Sequence, residues 1–292
     1  MSGSHRAAGV LLVDIGNTRI KWALWYAGRL GRIGAAAYRD WSSEDFARHL
    51  FRQPRAKRAS RLERIIVASV ADEGVLRRLA AGARRAHSAG GTSSSSMRRT
   101  SIPTLEIIET SRRAAGVVTR YEEPWRLGID RFLAVIAAHH LAGSRGACVI
   151  NAGTAVTLDL VDGQGVHRGG AILPGPQLMM ESLLRQTAGI ARRARGSSRG
   201  GVPSRAGVPS RSGAIFARDT AAAIEQGAVH AVAGAVERAI AASRQELGGA
   251  PPLVILTGGG AAELRRLLRV RCIEVPDLVL RGIALHAGLA LR

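Results

Sequence analysis

The sequence predicts an α/β protein built from two copies of one plan. Three observations predict it. Short apolar runs with strand character alternate with stretches of helical period. Each half begins with three strands and goes on with helices alternating with further strands. A local motif also recurs: "VDIGNTR" (13–19) lies over "INAGTAV" (150–156), setting Asp14 on Asn151, Gly16 on Gly153 and Asn17 on Thr154. Both copies read as a strand, an acid or amide, a glycine, a small polar residue and a returning strand. Internal duplication explains this better than two unrelated turns, with a chance match of short hairpins as the alternative. The copies divide the chain into residues 1–127 and 128–292.

Residues 9–39 read as three strands, the second with Ile20, Trp22 and Leu24 alternating with Lys21, Ala23 and Trp25. Ser42 with Asp45 is a capping pair for a helix through about residue 52. "RIIVASV" (64–70) is a buried-type strand, followed by a helix over about 72–86 and the strand "TLEIIE" (104–109). Between these last two, "HSAGGTSSSSMRR" is low-complexity with no apolar period, hence a loop. The second half starts with a helix at about 129–142 and the strands "ACVINAG", "AVTLDLV" and "GVHRGGAIL". A helix begins near Pro174. Residues 191–213 hold "GVPSR" twice and offer nothing to bury. They read as a non-helical insertion lengthened by local duplication, with a substrate lid or anion-binding arm as the sharper reading. A long helix at about 216–246, the strand "LVILT", a helix, the strand "CIEV" and a last helix follow.

At 292 residues and 46% apolar content, the chain can bury a sizeable core. No apolar run approaches the roughly 18 residues of a membrane span. The stretch Val10 to Val13 is too short for a signal peptide and ends on Asp14. A soluble cytoplasmic protein is expected. Cys148 and Cys272 match no metal or redox spacing. The formal charge of +20 invites a nucleic-acid reading. That reading is discounted: apart from Lys21 and Lys57 the 42 basic residues are all arginine, in a composition also rich in alanine and glycine. Aromatic residues, the platforms on which bases stack, are only 4%.

The chemistry lies in the two turns. Glycine lets backbone amides approach a phosphate without a Cβ in the way. Asn17, Thr18 and Thr154 add polar donors, Lys21 is a nearby point cation, and Asp14 could hold a hydrated Mg²⁺. That set suits the phosphates of ATP. A plain hairpin whose Asp14 caps its own turn is the alternative. Neither lysine follows a glycine, so there is no Walker A loop. "LTGGGAAEL" (256–264) lies between a strand and a helix, where a base or ribose could rest on the helix start. His139-His140 has no metal spacing, and no nucleophile elbow is present. Phosphoryl transfer to a hydroxyl needs a base. Asp130 in "YEEPWRLGIDRF" (121–132) is the candidate, beside Gly128 and Arg131, with simple helix capping as its alternative role.

"DIGNTRIKWAL", tyrosine followed after six residues by "GIDR", "NAGTAVTLDLV" and "GGAILPG" together resemble type III pantothenate kinases, within the acetate-and-sugar-kinase, Hsp70 and actin superfamily. The resemblance spans nearly the whole chain outside the two low-complexity segments. It implies a duplicated ribonuclease-H-like (actin-like ATPase) fold with two lobes of mixed sheet flanked by helices, and a homodimer. It implies ATP-dependent phosphorylation of pantothenate at its primary hydroxyl, the first step toward coenzyme A. The family also carries an older label as an accessory to a transcriptional regulator, which keeps a regulatory or nucleic-acid-binding protein as the alternative. Carried over by position, Asp14, Ile15, Gly16, Asn17, Thr18, Arg19, Ile20 and Lys21 make the first ATP motif, and Asp14 is the Mg²⁺ residue. Thr154 is the nucleotide contact of the second motif, and Asp130 is the catalytic base. Tyr121, Gly128, Ile129, Asp130, Arg131 and Thr220 meet pantothenate. One departure stands out: the family usually has an aspartate at Asn151, where the carboxylate helps hold K⁺ or NH₄⁺. An amide oxygen can still coordinate, but without charge, so dependence on a monovalent cation is weakened.

Overall fold

The structure, a computed structural model, describes residues 9–51, 62–89, 102–195 and 215–290. The chain forms two compact units, one running through Ala137 and taking in residues from Asp277 onward, the other spanning Ala138–Pro276. The 127/128 division read from the sequence separates the motif copies; compactness divides the chain ten residues later and returns the last helix to the first unit.

In the first unit, β1 (Gly9–Ile15) runs antiparallel to β2 (Arg19–Tyr26). The expected third strand is split into β3 (Arg29–Leu30) and β4 (Gly34–Ala37), both paired with β2. Ala27 and Gly28 turn the chain with φ of 51° and 80°, and the Trp22 ring lies over Gly34, where a Cβ would come within 2.2 Å of it. The Ser42–Asp45 capping box forms, with Ser42 N–H donating to Asp45 Oδ2 at 2.9 Å and Asp45 N–H to Ser42 Oγ at 3.2 Å. The helix it starts differs from expectation: α1 (Ser43–Phe46) passes at once into a wider π-turn, Ala47–Phe51. Then β5 (Leu62–Ser69) pairs parallel with β1, α2 (Glu73–Ala89) crosses, and β6 (Thr104–Ile108) pairs parallel with β5. Leu11, Val13, Ile15, Ile65 and Val67 bury against Phe46, Val75 and Leu79 of the helical layer. A short hairpin that the sequence reading missed, β7 (Arg113–Ala114) and β8 (Val117–Thr119), turns through Ala115 and Gly116, both at positive φ. It leads to α3 (Ile129–Ala142).

The second unit repeats the plan. β9 (Ala147–Ala152), β10 (Ala155–Val161) and β11 (Val166–Pro174) form an antiparallel meander. Two helices follow, α4 (Pro176–Gln186) and α5 (Ala188–Arg195). The latter corrects the reading of 191–213 as non-helical: its first five residues belong to α5, because "AGIARRAR" is alanine- and arginine-rich and both are strong helix formers. The "GVPSR" repeats and most of "HSAGGTSSSSMRR" lie outside the described residues. The long helix α6 (Thr220–Glu246) begins at 220 rather than 216, fixed by Asp219, whose Oδ1 accepts the Ala222 N–H at 2.9 Å. β12 (Leu253–Thr257) pairs parallel with β9, α7 (Ala261–Leu267) follows, and β13 (Ile273–Glu274) adds parallel to β12. The strand order β3-β2-β1-β5-β6 of the first unit is thus met by β11-β10-β9-β12-β13 in the second, with the same strand directions. Duplication of a ribonuclease-H-like core accounts for both. The last helix, α8 (Leu278–His286), packs on β1, β2 and β5 of the first unit. Gly282 makes this possible, since a Cβ there would fall 2.1 Å from the Leu133 carbonyl oxygen.

Candidate active site

Strand alternation sorts β1 into two faces. Leu11, Val13 and Ile15 enter the helix-covered core, so Asp14 falls on the other face, in register with Lys21 of β2. Asp14 is only 9% exposed. Burial pushes its carboxyl from the ordinary range up to about 7; Lys21 pulls it back down, and the nearby Asp130 pushes it further up. Asp14 and Lys21 of one hairpin therefore share an electrostatic neighbourhood with Asp130, more than a hundred residues later. The turn between the strands is closed by Gly16 N–H donating to the Arg19 carbonyl at 3.0 Å. Asn17, Thr18 and Arg19 are exposed at its tip, while Ile15 and Ile20 pair at its base and are buried. The buried Tyr38 donates its hydroxyl to the Gly16 carbonyl at 2.5 Å and so orients the turn. Sequence reasoning missed Tyr38, and no local pattern marks a contact 22 residues away.

Asp130 stands in the first turn of α3. Its Oδ1 accepts the Arg131 N–H at 2.9 Å, so part of the capping role is real. The carboxylate also folds over Gly128, where a Cβ would lie 2.8 Å from Oδ1, which explains the glycine. Ile129 is buried beside it. The Arg131 side chain is buried, donates to the Tyr121 hydroxyl at 3.2 Å, and holds its guanidinium 5.9 Å from that ring's centre. The first unit thus assembles Asp14, Lys21, Tyr121, Gly128, Asp130 and Arg131.

The second unit carries Asn151, Thr154 and Thr220. Asn151 faces away from the core built on Cys148, Ile150 and Ala152, in register with Thr157 as Asp14 is with Lys21. This turn is one residue shorter: Ala152 pairs directly with Val156, whereas Ile15 pairs with Ile20. Gly153 N–H is shared between the carbonyls of Asn151 (3.2 Å) and Ala155 (3.1 Å), and Thr154 is exposed at the tip. Backbone walls flank it. Gly175 N–H donates to Thr154 O at 2.9 Å, and Gly260 N–H donates to Ala152 O at 2.9 Å. Gly258, at φ 91°, could not carry a side chain, because its Cβ would meet Ala152 O at 2.4 Å and Asn151 Oδ1 at 2.7 Å. A cavity of about 50 Å³ opens between these walls, lined by Ala152, Gly153, Val156, Gly260, Glu263 and Leu264. Burial raises the Glu263 carboxyl, and Glu225 adds to the rise while Arg266 opposes it. Thr220 is the first residue of α6, on a different element from the Asn151–Thr154 turn.

Among the described residues, no group of three or more His, Cys, Asp or Glu side chains could cage a metal. Asp14, the buried carboxylate beside the first glycine turn, is the residue there that could hold a hydrated Mg²⁺. No described helix is long and apolar enough to cross a membrane.

Comparisons with known proteins give the family. Residues 10–242 match the family model of type III pantothenate kinases. Type III pantothenate kinases of Alkalilimnicola ehrlichii and Azoarcus are each 36% identical, over 94% and 96% of this chain and 96% and 90% of theirs. That of Halorhodospira halophila is 35% identical over 94% of this chain and 95% of its own. Among solved structures, one described as a Baf family transcriptional activator from Campylobacter jejuni is similar in fold, with a TM-score of 0.50. It shares 18% identity, covering 95% of this chain and 98% of that one. With the strand order, the paired turns and the Gly-Ile-Asp-Arg segment in place, the chain belongs to the type III pantothenate kinase family.

Proposed function

We propose that the protein transfers the γ-phosphoryl group of ATP to the primary hydroxyl of pantothenate, the first step toward coenzyme A, with the chemistry centred on its first unit. One observation carries the assignment of roles: the half-buried Lys21 and Asp130 both lie near enough to the buried Asp14 carboxyl to shift it. Asp130 accepts the proton of the attacking hydroxyl as the oxygen closes in line on phosphorus, and the bond to ADP breaks. Lys21 and the Gly16 to Thr18 turn balance charge on the phosphate oxygens. Asp14 would hold Mg²⁺, which would supply further charge neutralisation for the phosphates. Arg131, buried and braced by Tyr121, is the cation suited to the carboxylate of pantothenate.

Thr154 of the second unit is carried over as a further ATP contact, and the cavity beside Gly260 is lined by residues of that unit. K⁺ or NH₄⁺ would rest on Asn151 Oδ1 and backbone carbonyls. Thr220 is carried over as a further pantothenate contact. A homodimer belongs to the same reading, and exposed Ile172, Leu178 and Leu183 on β11 and α4 supply apolar surface for it. The enzyme works in the cytoplasm. The regulatory alternative has only the positive charge and the older family label behind it. The test is turnover of ATP and pantothenate by the purified protein, with product 4'-phosphopantothenate identified by mass. Absence of turnover in the presence of Mg²⁺ and K⁺ would defeat the proposal. Light scattering would separately give the oligomeric state.

A further inference from the structure

The segment that presents Tyr121 to Arg131 is strapped from one side by a residue outside the family motifs. The β7–β8 hairpin sets Arg112 opposite Thr119, and Thr119 N–H donates to the Arg112 carbonyl at 3.1 Å. The chain then leaves the ladder, and the Arg112 side chain follows it. Its Nη1 donates to the Thr119 carbonyl at 3.3 Å and to the Tyr121 carbonyl, and its Nη2 donates to the Glu122 carbonyl at 2.5 Å. The Thr119 hydroxyl accepts the Tyr121 N–H at 3.2 Å from within the same bend. Further on, Thr110 Oγ1 donates to the Leu127 carbonyl at 2.8 Å, just before Gly128.

Three carbonyl oxygens converging on one point repel one another unless a donor sits among them. A guanidinium offers several N–H groups in a fixed plane, and its charge makes each bond stronger than a neutral one. A lysine has the charge without the fork. We propose that Arg112 is a positioning residue for the pantothenate end of the site. By gathering the carbonyls of Thr119, Tyr121 and Glu122, it sets where the Tyr121 hydroxyl stands against the Arg131 guanidinium. The inference rests on the placement of pantothenate beside Tyr121 and Arg131.

The experiment is a double-mutant cycle on the full-length enzyme, with Arg112→Ala, Tyr121→Phe and the pair, read as steady-state kinetics with each substrate varied. Arg112→Ala should raise the KM for pantothenate about tenfold while kcat stays within about twofold and the KM for ATP is unchanged. Because Arg112 acts through Tyr121, its effect should shrink to about twofold or less in the Tyr121→Phe background. Low millimolar guanidinium ion should restore part of the loss in Arg112→Ala. Arg112→Lys serves as the cycle partner if the alanine variant does not fold. Additive effects, or a loss spread equally over kcat and both KM values, would overturn the positioning role. Asp130→Asn is assayed beside them: if it keeps wild-type kcat, the site assignment fails, whereas additivity in an enzyme that Asp130→Asn inactivates defeats the Arg112 proposal alone.

Discussion

The two glycine turns began as one design and now differ in what holds them and what they carry. The first has Asp14 paired in register with Lys21 and is braced by a side chain, the Tyr38 hydroxyl on Gly16. The second has the neutral pair Asn151 and Thr157 and is braced by backbone amides, through Gly175 on one side and Gly260 on the other. Buried charge is costly unless a reaction uses it. The first turn bears that cost, visible in an Asp14 carboxyl pushed up to about 7. The second avoids it and gains close packing instead. Under the proposed function, the charged turn is the one that meets the reacting phosphates. The largest test is Asp130→Asn, which removes the proposed base. It should lower kcat by about 10²- to 10⁴-fold, roughly 3 to 5.5 kcal/mol, with the fold intact by circular dichroism. A folded variant with near wild-type kcat would move the chemistry elsewhere.

Asp14→Asn makes the first turn resemble the second, and its effects should have opposite signs on activity and stability. Nucleotide use with Mg²⁺ should fall sharply while pantothenate binding changes little, as separate calorimetric titrations would show. Stability of the ligand-free protein should rise, and the sign follows from linkage. The Asp14 carboxyl is raised from 3.8 to about 7, so the folded state holds a proton that the unfolded chain has released. Wild-type stability therefore falls as pH climbs from about 4 to about 7 and levels off above that, by a few kcal/mol at most. The melting temperature of Asp14→Asn should match wild type near pH 4 and exceed it at pH 8. Mg²⁺ with ATP should narrow the gap by stabilising wild type. An equal difference at both pH values would remove Asp14 from the buried charged role.

Glycine substitutions sharpen the contrast in bracing. Gly258→Ala meets a backbone oxygen at 2.4 Å from a positive φ, and should cost about 2 to 4 kcal/mol in a denaturant titration. Gly16→Ala approaches its nearest atom, the Arg19 carbonyl oxygen, at 3.3 Å, and should cost about 1 kcal/mol or less. Its expected damage is to nucleotide KM, since this turn is the proposed phosphate site. Equal stability losses would mean that the close contact at Gly258 is relieved as cheaply as the one at Gly16.

Both turns, the Gly-Ile-Asp-Arg segment and the capping box at Ser42 could be read from residue order, because each is local: a strand end, a glycine and a polar neighbour within a few positions. The meeting of Asp14 with Asp130 could only be inferred from resemblance, since it spans most of the first unit. Tyr38 and Arg112 were invisible for the same reason, one reaching back 22 residues and the other catching carbonyls up to ten residues ahead. The return of α8 to the first unit depends on Gly282 fitting over Leu133, a packing fact with no periodic signature. The splitting of the third strand and the extra helix at Ala188–Arg195 were misjudged where composition was weighed over local propensity.

The smallest expected effect reverses the divergence: Asn151→Asp restores an acid to the second turn. Asn151 Oδ1 stands where Gly258 leaves room, 2.7 Å from the position a Cβ would take, so a carboxylate of the same shape fits without moving the backbone. A full negative charge about 3 Å from a monovalent ion, at an effective dielectric of about 20, contributes on the order of 5 kcal/mol before desolvation. Removing ion and carboxylate from water takes back most of that, leaving a net gain of roughly 1 to 2 kcal/mol in cation affinity. Wild type should thus respond to K⁺ or NH₄⁺ through Asn151 and nearby carbonyls, and Asn151→Asp should reach half-activation at about one tenth of the salt, at about 1.4 kcal/mol per decade. The measurement is kinase rate against KCl and NH₄Cl at constant ionic strength, in a buffer otherwise free of sodium, potassium and ammonium. A wild type without any cation response, joined to an Asn151→Asp variant that gains none, would make Asn151 a structural residue of the turn and leave the second copy with no ionic role.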